Sequence, residues 1–152
     1  MIQRIQSAYL LLVVVLMGVT MGMPLGIYIG KAGNAATLYA YGLDIAGVQQ
    51  DSSCWGIFAI ALLSAITAFA TIFLYKNRKL QIRLTIFNIL VCIGWYATFA
   101  AFVLSYKEQL ASNAFNCNTG AILPLVAIIL DLLAIRGIRK DERLVKAADR
   151  LR

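Results

Sequence analysis

Few residues in this chain have the chemistry to act on anything, and their spacing is more informative than their number. Histidine is absent, which removes the commonest general base and metal ligand. Asp131 is the one acid inside a long apolar run. A carboxyl deep in a low-dielectric layer is costly unless it is paired, protonated or close to water. Asp131 lies five residues before Arg136, and Asn88 lies five residues after Arg83. At ~1.5 Å per helical residue both fall ~7–8 Å inside a cationic boundary, in one layer. The expectation is an Asn88–Asp131 hydrogen bond, with Arg83 or Arg136 reaching inward to neutralise the acid. The competing use of Asp131 is as a proton- or ion-carrying group. A lone acid near one face, without a second acid, Lys or His at mid-depth, makes a poor relay.

The remaining reactive groups are sparse. Cys54 and Cys117 each lie where a polar link meets an apolar run, so a disulfide joining the two links is chemically open. Cys92 falls within an apolar run and reads as a small packing residue. Asp44, Asp51 and Glu108 share the links with the two cysteines, but no spacing among them has a nameable mechanism, and no Cys/His pattern suggests a metal. The expectation is a non-enzymatic chain with no cofactor.

The elements that must position these residues follow from hydropathy. The chain has 152 residues, of which 61% are hydrophobic and 14% charged. Its mean hydropathy is +0.79, far on the membrane side of ordinary globular composition. Four apolar runs, at about 8–30, 55–75, 84–105 and 120–138, each approach the ~20 residues that cross ~30 Å of hydrocarbon as a helix. Helix is the expected state, because lipid offers no partner to free backbone groups. The fold class expected is an all-α bundle of four transmembrane helices forming a single membrane domain, 1–152. The first run exceeds the core of a cleaved signal peptide and is expected to persist. The short link from Lys76 to Arg83 makes the second and third helices antiparallel neighbours. In the long first outer link, Thr37 to Ile45 is rich in aromatic and aliphatic residues with a turn residue at Gly42, which fits a small β-hairpin or an irregular interfacial loop.

Charge placement sets the orientation. Of fourteen Lys and Arg residues, twelve fall on one side: Arg4; Lys76, Arg78, Lys79 and Arg83; and Arg136, Arg139, Lys140, Arg143, Lys146, Arg150 and Arg152. Lys31 and Lys107 stand alone on the other. The positive-inside rule then puts both termini in the cytoplasm. Insertion topology, with contacts from Lys76, Arg78, Lys79, Arg83, Arg136, Arg139 and Lys140 to anionic lipid headgroups, accounts for the formal charge of +7 without nucleic acid. Residues 139–152 read as a basic amphipathic tail, extending the fourth helix or lying on the headgroups.

Gly18, Gly22, Gly26 and Gly30 recur every four residues in the first run. Such a ridge permits close helix contact, either against the small face Ala61, Ser64, Ala65 and Ala68 of the second helix, or against a membrane-protein partner or a second copy. Pro24 lies within the ridge and is expected to kink the helix.

The ends of the chain are more specific than its middle. The opening Met1-Ile2-Gln3-Arg4-Ile5-Gln6-Ser7-Ala8-Tyr9, the closing stretch from Ala134 through Arg136-Gly137-Ile138-Arg139-Lys140-Asp141-Glu142-Arg143 to Arg152, and the link Lys76-Asn77-Arg78-Lys79-Leu80-Gln81-Ile82-Arg83 resemble domain of unknown function 4293, a family of small inner-membrane proteins of Bacteroidetes-type bacteria. That resemblance implies four helices in a bacterial inner membrane, and brings no activity or catalytic residue. The expected role is an accessory or scaffold subunit acting through helix packing and the basic tail. The alternative is a small transporter or oligomeric channel using Asp131.

Overall fold

A computed structural model describes residues 2–29, 35–45, 48–51, 54–74, 77–109 and 114–150. Among them are four helices long and apolar enough to cross a membrane. These are α1 (Ile2–Gly22), α2 (Trp55–Phe73), α3 (Arg78–Gln109) and α4 (Thr119–Arg150). The described residues also include five short strands: β1 (Gly26–Ile29), β2 (Ala35–Leu38), β3 (Leu43–Ile45), β4 (Val48–Asp51) and β5 (Ala114–Cys117).

The helices form a ring. α1 packs on α2 and α4, and α3 packs on the same two, so α2 and α3 are neighbours as their short link requires. Each helix buries residues spaced three and four apart, the repeat of a single inward stripe. On α1 the stripe is Gln6, Leu10, Val13, Met17 and Thr20; on α3 it is Gln81, Thr85, Asn88, Cys92, Trp95 and Phe99. On α2 it is Ile57, Ala61, Ser64, Ala68 and Thr71, mostly small residues that bring the neighbouring helices close.

The first helix is shorter than hydropathy suggests. It ends at Gly22, not near residue 30, and the chain continues as β1. Pro24 supplies the reason: it has no N–H to give the helix and disfavours helical geometry in Met23 before it. Leu25 N–H then bonds to Leu38 O at 2.8 Å, committing the chain to the sheet. Hydropathy cannot see this change, because Leu25, Ile27 and Ile29 are as apolar in a strand as in a helix.

All pairings are antiparallel, in the order β4-β3-β2-β1-β5. The expected hairpin between Thr37 and Ile45 is present as β2–β3, closed by Tyr39 N–H to Gly42 O at 2.8 Å. It is one piece of a larger sheet. β1 lies between β2 and the edge strand β5, which comes from the link between α3 and α4, in the register Gly26↔Cys117 to Ile29↔Ala114. Aromatic contacts seat the sheet on the bundle. Tyr28 meets Phe115 at 4.6 Å, Phe115 meets Phe99 at 6.1 Å, and Phe99 stacks on Trp95 at 5.3 Å. Tyr28 is buried and donates its hydroxyl to Val103 O at 3.2 Å, and burial raises its phenol above the usual tyrosine value.

At the opposite, basic end α3 and α4 run longer than expected. α3 begins at Arg78 instead of residue 84, absorbing most of the basic link. α4 continues without a break from Thr119 to Arg150, so the tail from residue 139 onward extends the helix. The second helix stops at Phe73; Tyr75 and Lys76 lie outside the described residues.

Candidate functional site

The expected polar layer is built where α2, α3 and α4 meet. Asn88 donates Nδ2–H to Asp131 Oδ2 at 2.8 Å. Its Oδ1 accepts from Ser64 Oγ at 2.8 Å and from Thr67 Oγ1 at 3.1 Å. Ser64 Oγ also lies 3.4 Å from Cys92 Sγ. One carboxamide thus ties together two helices that face each other across the ring. Asp131 and Ser64 are fully buried and Asn88 nearly so.

The helices dictate this geometry. Asn88 and Cys92 lie one turn apart on the inward stripe of α3, and Ser64 sits mid-stripe on α2 between Ala61 and Ala68. Ala127 and Ala134 flank Asp131 on α4, and both are buried. These small neighbours leave room for the polar groups to meet at hydrogen-bond distance.

The proposed neutralisation by arginine is not what the structure holds. Arg83 and Arg136 are both exposed, and Asp131 has no salt bridge among the described residues. Both side chains project outward from their helices, away from the inward stripes that carry Asn88 and Asp131. Asp131 Oδ1 is buried and meets no hydrogen-bond donor.

A second buried polar group lies nearer the basic end. Gln81 Nε2 donates to Thr71 O at 3.4 Å, and Thr85 bonds back to Gln81 O at 2.9 Å. Gln6 is buried on α1, with its side chain against Gly137 of α4 and its Nε2 without a partner. The sequence contained a signal for this layer. Gln81, Thr85, Asn88 and Cys92 recur at spacings of four and three, so one face of α3 carries them all.

The glycine ridge comes apart. Gly26 is in β1, where an added Cβ would strike the Phe115 ring and approach Asn116 O at 2.9 Å, and Gly30 lies outside the described residues. Gly18 and Gly22 remain on α1, but both are exposed with open space beside them. Their face turns away from Ala61, Ser64 and Ala68, because α1 packs through its larger stripe. Gly120, which is not part of the ridge, likewise brings two segments together. A Cβ there would stand 2.6 Å from Pro24 O, so its absence lets the start of α4 lie against the turn between α1 and β1.

No disulfide joins Cys54 and Cys117. Cys54 is buried with Sγ 3.5 Å from Tyr106 Oη, whereas Cys117 is exposed on β5. The strand leaves the Cys117 side chain exposed, while the turn that leads into α2 buries Cys54. Among the described residues no cluster of His, Cys, Asp or Glu has the makings of a metal site. Of the basic residues, Lys76 lies outside the described residues, and Lys79, Arg139 and Lys140 are exposed like Arg83 and Arg136. Arg78 differs: it pairs with Asp141 at 3.4 Å, linking the start of α3 to the extension of α4.

Four long apolar helices, with the basic terminal segments in one continuous frame, match a known pattern from end to end. The chain belongs to the family described as Domain of unknown function (DUF4293), which matches residues 2–151. No curated protein matches it. Membership covers the helices, the sheet segments and the basic extension alike, so the polar layer sits within the matched region.

Proposed function

We propose that this family member is a multi-pass protein of the bacterial inner membrane, with both termini in the cytoplasm, and that it serves as a non-enzymatic accessory or scaffold subunit. The observation that carries this reading is the Asn88 clamp. The one deep acid is committed to holding α2, α3 and α4 together, with its carboxyl buried from every side. What remains for function is surface: the exposed Gly18–Gly22 face of α1, the sheet, and the basic helical extension with its affinity for anionic headgroups. A membrane-protein partner or a second copy would dock on the first of these, and nucleic acid has no part. Cross-linking in cells followed by purification in mild detergent tests this reading. Co-purification of a defined membrane partner or of a homo-oligomer is expected. Emergence of the cross-linked protein as a monomer alone would count against it.

A second reading is favoured by one specific observation, the unpartnered Oδ1 of buried Asp131. In that reading Asp131 carries a proton or ion through a small transporter or oligomeric channel. A flux in proteoliposomes that disappears with Asp131→Asn would support it.

A further inference from the structure

The arginines that do not reach Asp131 converge elsewhere. At the basic end, α3 and the extension of α4 flank a cleft of about 500 Å³, lined by Lys79, Ile82 and Arg83 from one helix and Arg139, Glu142 and Arg143 from the other. Lys79/Arg83 and Arg139/Arg143 are both i,i+4 pairs, so each helix presents two cations on one face. The Arg78–Asp141 ion pair fastens the two helices beside the cleft. Four cations are therefore held together against a single carboxylate, with nothing like a matching set of acids.

Three further observations indicate what belongs there. First, α3 begins at this point with Arg78 and Lys79 and no acid in its first turn. Cations at the positive pole of a helix are unfavourable, and an anion relieves the arrangement. Second, Arg78 gives only one nitrogen to Asp141; its other terminal nitrogen is buried without a partner, in a hollow that shares Lys79, Arg83 and Glu142 with the cleft. Third, the faces bearing the cations continue as exposed apolar residues: Ile86 and Leu90 lie seven residues beyond Lys79 and Arg83, and Leu132 seven residues before Arg139. A ligand for this place is anionic at the cleft and apolar along the helices.

We propose that the cleft binds the phosphate of an acidic glycerophospholipid, with Lys79, Arg83, Arg139 and Arg143 holding the phosphate and an acyl chain lying along Ile86, Leu90 and Leu132. The proposal rests on the membrane reading above. It goes further by assigning a discrete site where that reading gives only a basic surface.

The test uses the full chain in a neutral detergent, with native mass spectrometry and thermal unfolding as readouts. Phosphatidylglycerol, diphosphatidylglycerol, zwitterionic phosphatidylethanolamine and inorganic phosphate are added separately. An acidic phospholipid is expected to remain bound and to raise the unfolding midpoint, whereas phosphatidylethanolamine and inorganic phosphate are not. R139Q/R143Q is expected to weaken lipid retention by at least about tenfold. K79Q/R83Q, on the other helix, should do the same. R136Q/K140Q removes as much charge from α4 outside the cleft and should change retention less than about threefold. Equal loss in all three double variants, equal retention of phosphatidylethanolamine, or the same stabilisation by inorganic phosphate would overturn the site. Failure of the membrane reading looks different: the native chain would then be released from membranes by alkaline carbonate.

Discussion

Asn88 has one donor hydrogen spent on Asp131 and an acceptor oxygen shared between Ser64 and Thr67. The consequences of removing each partner are therefore unequal. Asp131→Leu strands a buried amide donor, and stability in detergent should fall by about 1–3 kcal/mol. Asp131→Asn offers a carbonyl oxygen in the same place and should cost less than about 1 kcal/mol. Ser64→Ala leaves Thr67 on the same oxygen and should also be mild. Denaturation midpoints of the three variants check this order; an Asp131→Leu protein as stable as the native one would mean that the clamp holds nothing. The Asn88–Asp131 contact was accessible from sequence because depth along a helix is counted in fixed steps from a cationic boundary. Ser64 and Thr67 were not, because their meeting with Asn88 depends on how α2 is rotated about its axis. The outward course of Arg83 and Arg136 likewise depends on rotation, which residue counting does not supply.

Among the elements, the glycines separate into two kinds. Gly120 meets the backbone of Pro24, which cannot yield as a flexible side chain would. Gly120→Ala should destabilise the protein by about 1–3 kcal/mol, measured by thermal unfolding. Gly18→Leu meets open space and should leave the midpoint of the isolated protein nearly unchanged. If α1 is the docking face, the same substitution should abolish cross-linking to the partner. Loss of stability in Gly18→Leu would instead place that residue inside the packing. Hydropathy made the four helices readable, because the cost of exposing backbone in lipid leaves long apolar runs few alternatives. It failed where an apolar run contains two conformations, as at Pro24. It also gave no sign of β5, whose four residues are short and mixed in polarity and whose pairing partner is remote in sequence.

For the molecule as a whole, the asymmetry of charge and the position of the sheet make one joint prediction. If the basic end is cytoplasmic, β5 and its exposed Cys117 face the other compartment, while Cys54 and Cys92 are buried. A membrane-impermeant maleimide applied to spheroplasts should label the protein once, and Cys117→Ala should remove the label. Labelling only in inverted vesicles would reverse the orientation. The same geometry places the proposed lipid cleft and Cys117 at opposite ends of the bundle, so one preparation can report on both.

The pairing of β1 with a strand from a distant link imposes an order on biosynthesis. β1 leaves the ribosome directly after α1, but the strand that covers its second edge is separated from it by two further long helices. Throughout that interval the nascent chain carries an open row of peptide groups, a surface that invites pairing with other chains. Arrival of residues 114–117 covers that edge of β1 and leaves β5 as the outer strand. A polypeptide arrested before that point would have three helices and an unfinished sheet, and would be conspicuous to proteases and chaperones as incomplete.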